Sequence, residues 1–205
     1  TDSWKINLEY DDQRYEGTVE KESGEKIKSL NVYRDADMRL IFSLDSNWSY
    51  GVFVQGEQST YRNLKTSVEA IPAIQYNVFD WDESDRKQFT FTYDVGPMYN
   101  NYYETTVLNK MSEWLWRESI EINLNKIETW GEIEVWMEGG HFFPGFANYY
   151  YQTGIDLGFR VSKGFSVTFK VEAESIHNQI YLPGSELSDE ELLLNTRKLP
   201  TTFEY

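Results

Sequence analysis

Apolar residues fall on every second position along most of this chain. In residues 153–174 they are Ile155, Leu157, Phe159 and Val161, then Phe165, Val167, Phe169, Val171 and Ala173. Between them stand Asp156, Arg160, Ser166, Thr168, Lys170 and Glu172. A period of two gives a strand one apolar and one polar face. Ser162, Lys163 and Gly164 link the two runs, and a glycine free to take positive φ makes the pair a hairpin.

The same unit recurs from the start of the chain. Trp4, Ile6, Leu8 and Tyr10 predict a first strand, and the polar stretch to Lys26 reads as a long loop or a strand extension. Leu30, Val32, Ala36, Met38, Leu40, Phe42 and Leu44 predict a second, with Arg34 interrupting its apolar face. Asp45, Ser46 and Asn47 form a short turn, and Trp48, Tyr50, Val52 and Val54 open a third strand. After the polar residues 55–62, alternation resumes from Leu64 to Val78; Pro72, lacking an N–H, predicts a bulge or local break there. Phe89, Phe91, Tyr93 and Val95 precede an aromatic and polar segment, 98–111, that reads as a loop. Trp114, Trp116, Ile120, Ile122 and Leu124 predict the next strand, and Ile133, Val135 and Met137 the one after, leading to a loop at 139–148.

Connections thus alternate. Short turns stand at 45–47, 127–129 and 162–164, a longer one at 80–87, and long loops lie between. That asymmetry predicts an all-β fold, an antiparallel up-and-down (meander) β-barrel of the outer-membrane type. Trp4, Trp48 and Trp130 lie beside short turns, Trp81 lies within one, and Phe165 follows the last. The expectation is an aromatic belt at one membrane interface. The opposite stripe, with Lys5, Glu9, Arg39, Lys65, Glu69, Arg117, Glu121, Glu132, Glu134, Arg160 and Lys170, would face a lumen of mixed charge. Alternation alone also fits a soluble, lipocalin-like barrel whose apolar stripe points inward around an apolar small molecule. Arg34 and Glu118 on the apolar face count against lipid, less so toward an interface.

Composition narrows the classes. Among 205 residues, 34 acidic ones against 19 basic give a formal charge of −15, which argues against a nucleic-acid partner. Cysteine is absent, so neither disulfides nor thiolate metal sites are available. No run is long and apolar enough for a transmembrane helix.

Several blocks carry a resemblance. Residues 176–183 (IHNQIYLP), 188–194 (SDEELLL) and 197–202 (RKLPTT), with 59–63 (STYRN), 70–77 (AIPAIQYN) and 99–104 (YNNYYE), resemble an uncharacterised outer-membrane β-barrel family common in Bacteroidota. The resemblance implies location in a Gram-negative outer membrane. It implies the lipid bilayer and lipopolysaccharide as partners, with other envelope proteins reached through the long loops. Members of that family have strand material before Thr1 and beyond Tyr205, so the 205 residues are expected to be one domain of a barrel of about twelve strands, about ten of them visible here.

Candidate chemistry is sparse. Ser188 to Glu191 is a capping box, stapled by Leu187 and Leu192, and predicts a short helix. His141 and His177 lie at strand ends facing long loops, and Ser175 near His177 is the one nucleophile candidate for a rim-active hydrolase; no nucleophile elbow accompanies it. The two histidines lack the spacing of a zinc site. Asp80, Asp82, Glu83 and Asp85 supply oxygen ligands without an EF-hand's glycine and closing glutamate, so a solvated turn is the default. Gly139, Gly140 and His141 precede no helix and form no phosphate loop. The expectation is a non-enzymatic protein without cofactor, in a structural, docking or narrow-channel role.

Overall fold

The computed structural model describes residues 3–20, 26–185, 198–200 and 202–204. The alternating runs become a single antiparallel sheet in which each strand pairs with its neighbours in sequence. The long strands are β1 (Trp4–Glu20), β2 (Lys26–Ser43), β3 (Trp48–Ser59), β4 (Leu64–Asn77) and β5 (Lys87–Tyr102). They continue as β6 (Ser112–Glu128), β7 (Gly131–Phe142), β8 (Tyr149–Ser162) and β9 (Phe165–Ile176). A two-residue piece, β10 (Phe203–Glu204), pairs with Ser175 and Glu174 of β9.

The nine long strands curl through 251°, a barrel with one side open. Among the described residues β1 pairs only with β2, and the outer edge of β9 meets only β10. The register keeps the two faces in phase from strand to strand. Ile6, Leu40, Val52 and Pro72 stand opposite one another in turn on one face; Asn7, Arg39, Phe53 and Ile71 do so on the other. A slip of one residue would exchange the faces, so the pattern holds the register.

Three stretches without apolar alternation are strand: the one after Tyr10 takes the strand extension offered beside a loop, and the one after Pro97 falls where a loop is expected. β1 continues through the polar residues 11–20, β3 reaches Ser59, and β5 reaches Tyr102. In the first two stretches polar residues stand on both faces, and pairs such as Asp12 with Arg34 and Arg34 with Gln58 carry the ladder on. The backbone pairing persists where the apolar contrast that announces a strand is gone. Pro72 leaves β4 continuous. The ladder to β5 lapses between the pairs Glu69–Met98 and Ala73–Asp94 without any change of register, so the break is local and no bulge forms.

At the end of the sheet away from the short turns, the chain after β9 folds across the concave side as a strap. Its Ile180, Tyr181 and Leu182 are buried, the last two packing with Leu64 and Tyr102. Asn63, at φ 59°, ties the strap down: its Nδ2 donates to the carbonyls of Tyr181 and Glu104, each at 3.0 Å, and its Oδ1 accepts from Glu104 N at 2.8 Å. The Val107 and Gly184 amides add bonds to Leu182 O and Thr105 O, both 2.8 Å. The capping box at 188–191 lies outside the described residues.

Candidate functional site

The two faces of the curl differ in chemistry, and the polar one is inside. Convex positions carry Trp4, Leu8, Ile120, Val171 and Phe169, all more than 50% exposed. Concave positions surround a cavity of about 880 Å³ whose walls carry Asn7, Arg39, Gln75, Glu121, Asn123 and Gln152 among others. An interior for an apolar ligand, as in a lipocalin-like barrel, would need the reverse arrangement.

Of the residues expected to face a lumen, Lys5, Glu9, Arg39, Glu69, Arg117, Glu121, Glu132, Glu134, Arg160 and Lys170 share the concave phase of the register. Lys65 does not. The register shifts between Leu64 and Thr66, so Leu64, 3% exposed and opposite Tyr102, takes the inward place while Lys65 is exposed. An extra residue in a ladder inverts the alternation beyond it.

The wall is cross-linked by ion pairs. Arg117 of β6 reaches past Gly96 of β5 and grips Glu69 of β4 with two bonds, 3.0 and 3.1 Å. Its Nη1 donates to the hydroxyl of Tyr150 at 3.1 Å and stands 3.8 Å from Asp94 and 3.9 Å from Glu138. Ser119 Oγ donates to Asp94 at 2.8 Å. A planar guanidinium suits this fork, whereas a lysine would reach one oxygen at a time. Toward the strap, Arg62 pairs with Glu57 at 3.0 Å and lies over the Tyr181 ring. At the turn end Lys5 pairs with Asp85 at 2.9 Å, and Lys170 pairs with Asp156 near the open side. Sequence parity placed Arg117 and Glu69 on one face. It carried no sign of Tyr150, which stands among outward tyrosines, nor of Arg62 and Asn63, which sit in a turn.

Four of the five aromatic residues at the short turns point outward. Trp4, Trp48, Trp130 and Phe165 are exposed on the convex side near the short turns. Trp48 packs on Tyr76 with ring centroids 5.0 Å apart, and Trp130 stacks on Phe159 at 5.8 Å. Trp81 is the exception. Its turn folds inward, so the indole lines the cavity mouth under the Lys5 ammonium, 4.9 Å from the ring centroid. A second aromatic row, including Tyr99 against Trp114 at 5.2 Å, stands near the strap end.

The two charges expected to interrupt the apolar face, Arg34 and Glu118, both have partners. Arg34 pairs with Asp12 at 3.2 Å and donates to Gln58 at 3.0 Å. Glu118 accepts from Tyr93 Oη at 2.7 Å, and His141 Nε2 lies 2.7 Å from its other oxygen. His141 is covered by the rings of Phe143 and Phe146, and His177 stacks on Tyr149. Tyr149 thus stands between the two histidines, on the opposite face from the cavity. Among the described residues no hydrogen bond joins Ser175 to His177, and no three His, Asp or Glu side chains gather as a metal site. In the turn at 80–85, Glu83 pairs with Lys87 at 2.9 Å and Asp85 with Lys5.

No family model, curated protein or solved structure matches the chain.

Proposed function

We propose that this chain is the wall of an outer-membrane β-barrel whose convex face meets lipid and whose concave face lines a narrow lumen. The observation that carries the reading is the inversion of polarity: large apolar side chains are exposed outside, while charged ones are paired inside. A water-soluble fold buries the first and exposes the second. The dimensions agree. Between the rows at Phe89 and Tyr99, β5 spans ten residues, about 33 Å along the strand, and a tilt of about 40° makes the band about 25 Å tall. The resemblance in the amino-acid sequence supports the same location, in a Gram-negative envelope with lipopolysaccharide at the outer leaflet.

The curl supports closure. Eight strand-to-strand steps cover 251°, about 31° each, so the remaining arc holds between two and three further strands. β10 lies where the first of them would stand, and the total proposed is about twelve. The role is structural, docking or narrow-channel, without covalent chemistry; the ion-paired wall fills space as well as lining it. The test is the partition of the full chain. Dependence on detergent, with gel migration that changes on boiling, supports the reading. A compact monomer in plain buffer overturns it.

A further inference from the structure

The charges lining the cavity are nearly all engaged with one another, as Lys5 with Asp85, Arg62 with Glu57, and Arg117 with Glu69, Asp94 and Glu138. Two are left over. Arg39 of β2 lays its guanidinium over the Phe53 ring, 5.3 Å from the centroid, and makes no hydrogen bond or ion pair among the described residues. Asp37, two residues before it on the same face, makes no ion pair with it. Glu121 of β6 is likewise without a hydrogen bond or ion pair among the described residues. Four strands apart along a curled sheet, these two lie on facing walls; the charge that acts most on Glu121 is its neighbour Glu138, followed by Arg39, with Asp94 and Glu134 also acting on it.

We infer that Arg39 and Glu121 are the two ends of a binding site for a small zwitterion, a short peptide with free ammonium and carboxylate termini. An arginine held flat over a ring presents its fork to a carboxylate, and a carboxylate without a cation receives an ammonium. A molecule carrying both charges satisfies both walls at once, which neither an anion nor a cation alone can do. The space between suits a peptide backbone. Asn7 stands opposite Arg39, and Asn123 follows Glu121 on the same face, so amide side chains flank each end. A volume of about 880 Å³ falls in the range of small-molecule sites, about 300–1,000 Å³. The strap, through Asn178, Ile180 and Tyr181, forms part of the enclosing wall.

The test is calorimetric titration of the full chain with glycine and with di-, tri- and tetraglycine. One length is expected to bind best, and acetylating its amino end or amidating its carboxyl end is expected to weaken it by about tenfold or more. Arg39→Gln should abolish the penalty for amidation while keeping that for acetylation, and Glu121→Gln should do the opposite. Misfolding would erase both preferences together, so the crossed pattern separates a site from a damaged fold. Equal binding of blocked and free peptides, or no binding of any free form up to about 10 mM, overturns the inference. Partition into membrane is a separate measurement: selective binding by a detergent-independent monomer would sink the membrane reading and leave this site standing.

Discussion

The indole of Trp136 lies flat over Gly154, its cross-strand partner on the concave face. A Cβ built on Gly154 would stand 2.5 Å from Trp136 Nε1 and 2.6 Å from Cε2. The ring fills the place a side chain would take, and neighbouring Gly140 is covered in the same way by Tyr150. Gly154→Ala is therefore expected to destabilise by about 1–3 kcal/mol, the usual cost of overpacking. In the Trp136→Ala background the same change should cost far less. Urea unfolding of the four proteins in a double-mutant cycle checks this, and additive effects would refute the contact.

Arg117→Leu leaves the carboxylate of Glu69, whose side chain is only 3% exposed, without its cation. The expected loss is about 3–5 kcal/mol, because an unpaired buried charge costs more than the pair contributes. Adding Glu69→Leu should recover much of it. Equilibrium unfolding of single and double variants is the measurement, and a double variant worse than the single would contradict the account.

Asp45, in the turn between β2 and β3, accepts the amides of Trp48 at 2.7 Å and Asn47 at 2.8 Å, which hold its carboxyl below the usual range. A depressed folded-state pKa means stability fully present above the unfolded pKa and lost as pH falls through the folded one. Asp45→Asn keeps an acceptor in place but cannot titrate. Its unfolding midpoint is expected to be flatter than the wild type's from neutral pH into the acid range below the ordinary Asp value of about 3.9. Parallel curves for the two proteins would remove Asp45 from the acid response.

Asn63→Gly keeps the left-handed backbone available but deletes three side-chain bonds, one to the strap at Tyr181 O and two to Glu104 in the loop that the strap packs on. Each is worth about 1 kcal/mol. Faster proteolytic cleavage within residues 177–185 is the expected result. Asn63→Ala should cleave faster still, since alanine adds a penalty of about 1–2 kcal/mol at positive φ. Unchanged cleavage in both would mean the packing of Tyr181 and Leu182 and the backbone bonds of Val107 and Gly184 hold the strap without Asn63.

The apolar alternation made the faces legible, and with them most of the lumen set, because the phase of a strand survives as long as no residue is added to the ladder. Lys65 fell where one is added. Trp81 was misplaced for a related reason: an indole in a turn has no strand phase, and the ammonium of Lys5 draws it inward. Which face is the inside was legible only through the tryptophans beside the short turns, since alternation is the same for either curvature. The strap was hidden as well. Ile180, Tyr181 and Leu182 have no periodicity, and their partners Asn63, Leu64 and Tyr102 come from distant turns and strand ends.

β1 presents one hydrogen-bonding edge along 17 residues with no strand beside it among the described residues. On such an edge every second residue turns its amide and carbonyl outward. In hydrocarbon each orphaned group costs several kcal/mol, so the edge as a whole amounts to tens. No side-chain arrangement on the convex face offsets that. For a sheet that meets lipid, crossing the membrane and zipping the two rims together become one all-or-none event, and a half-inserted, half-open form is too high in energy to persist.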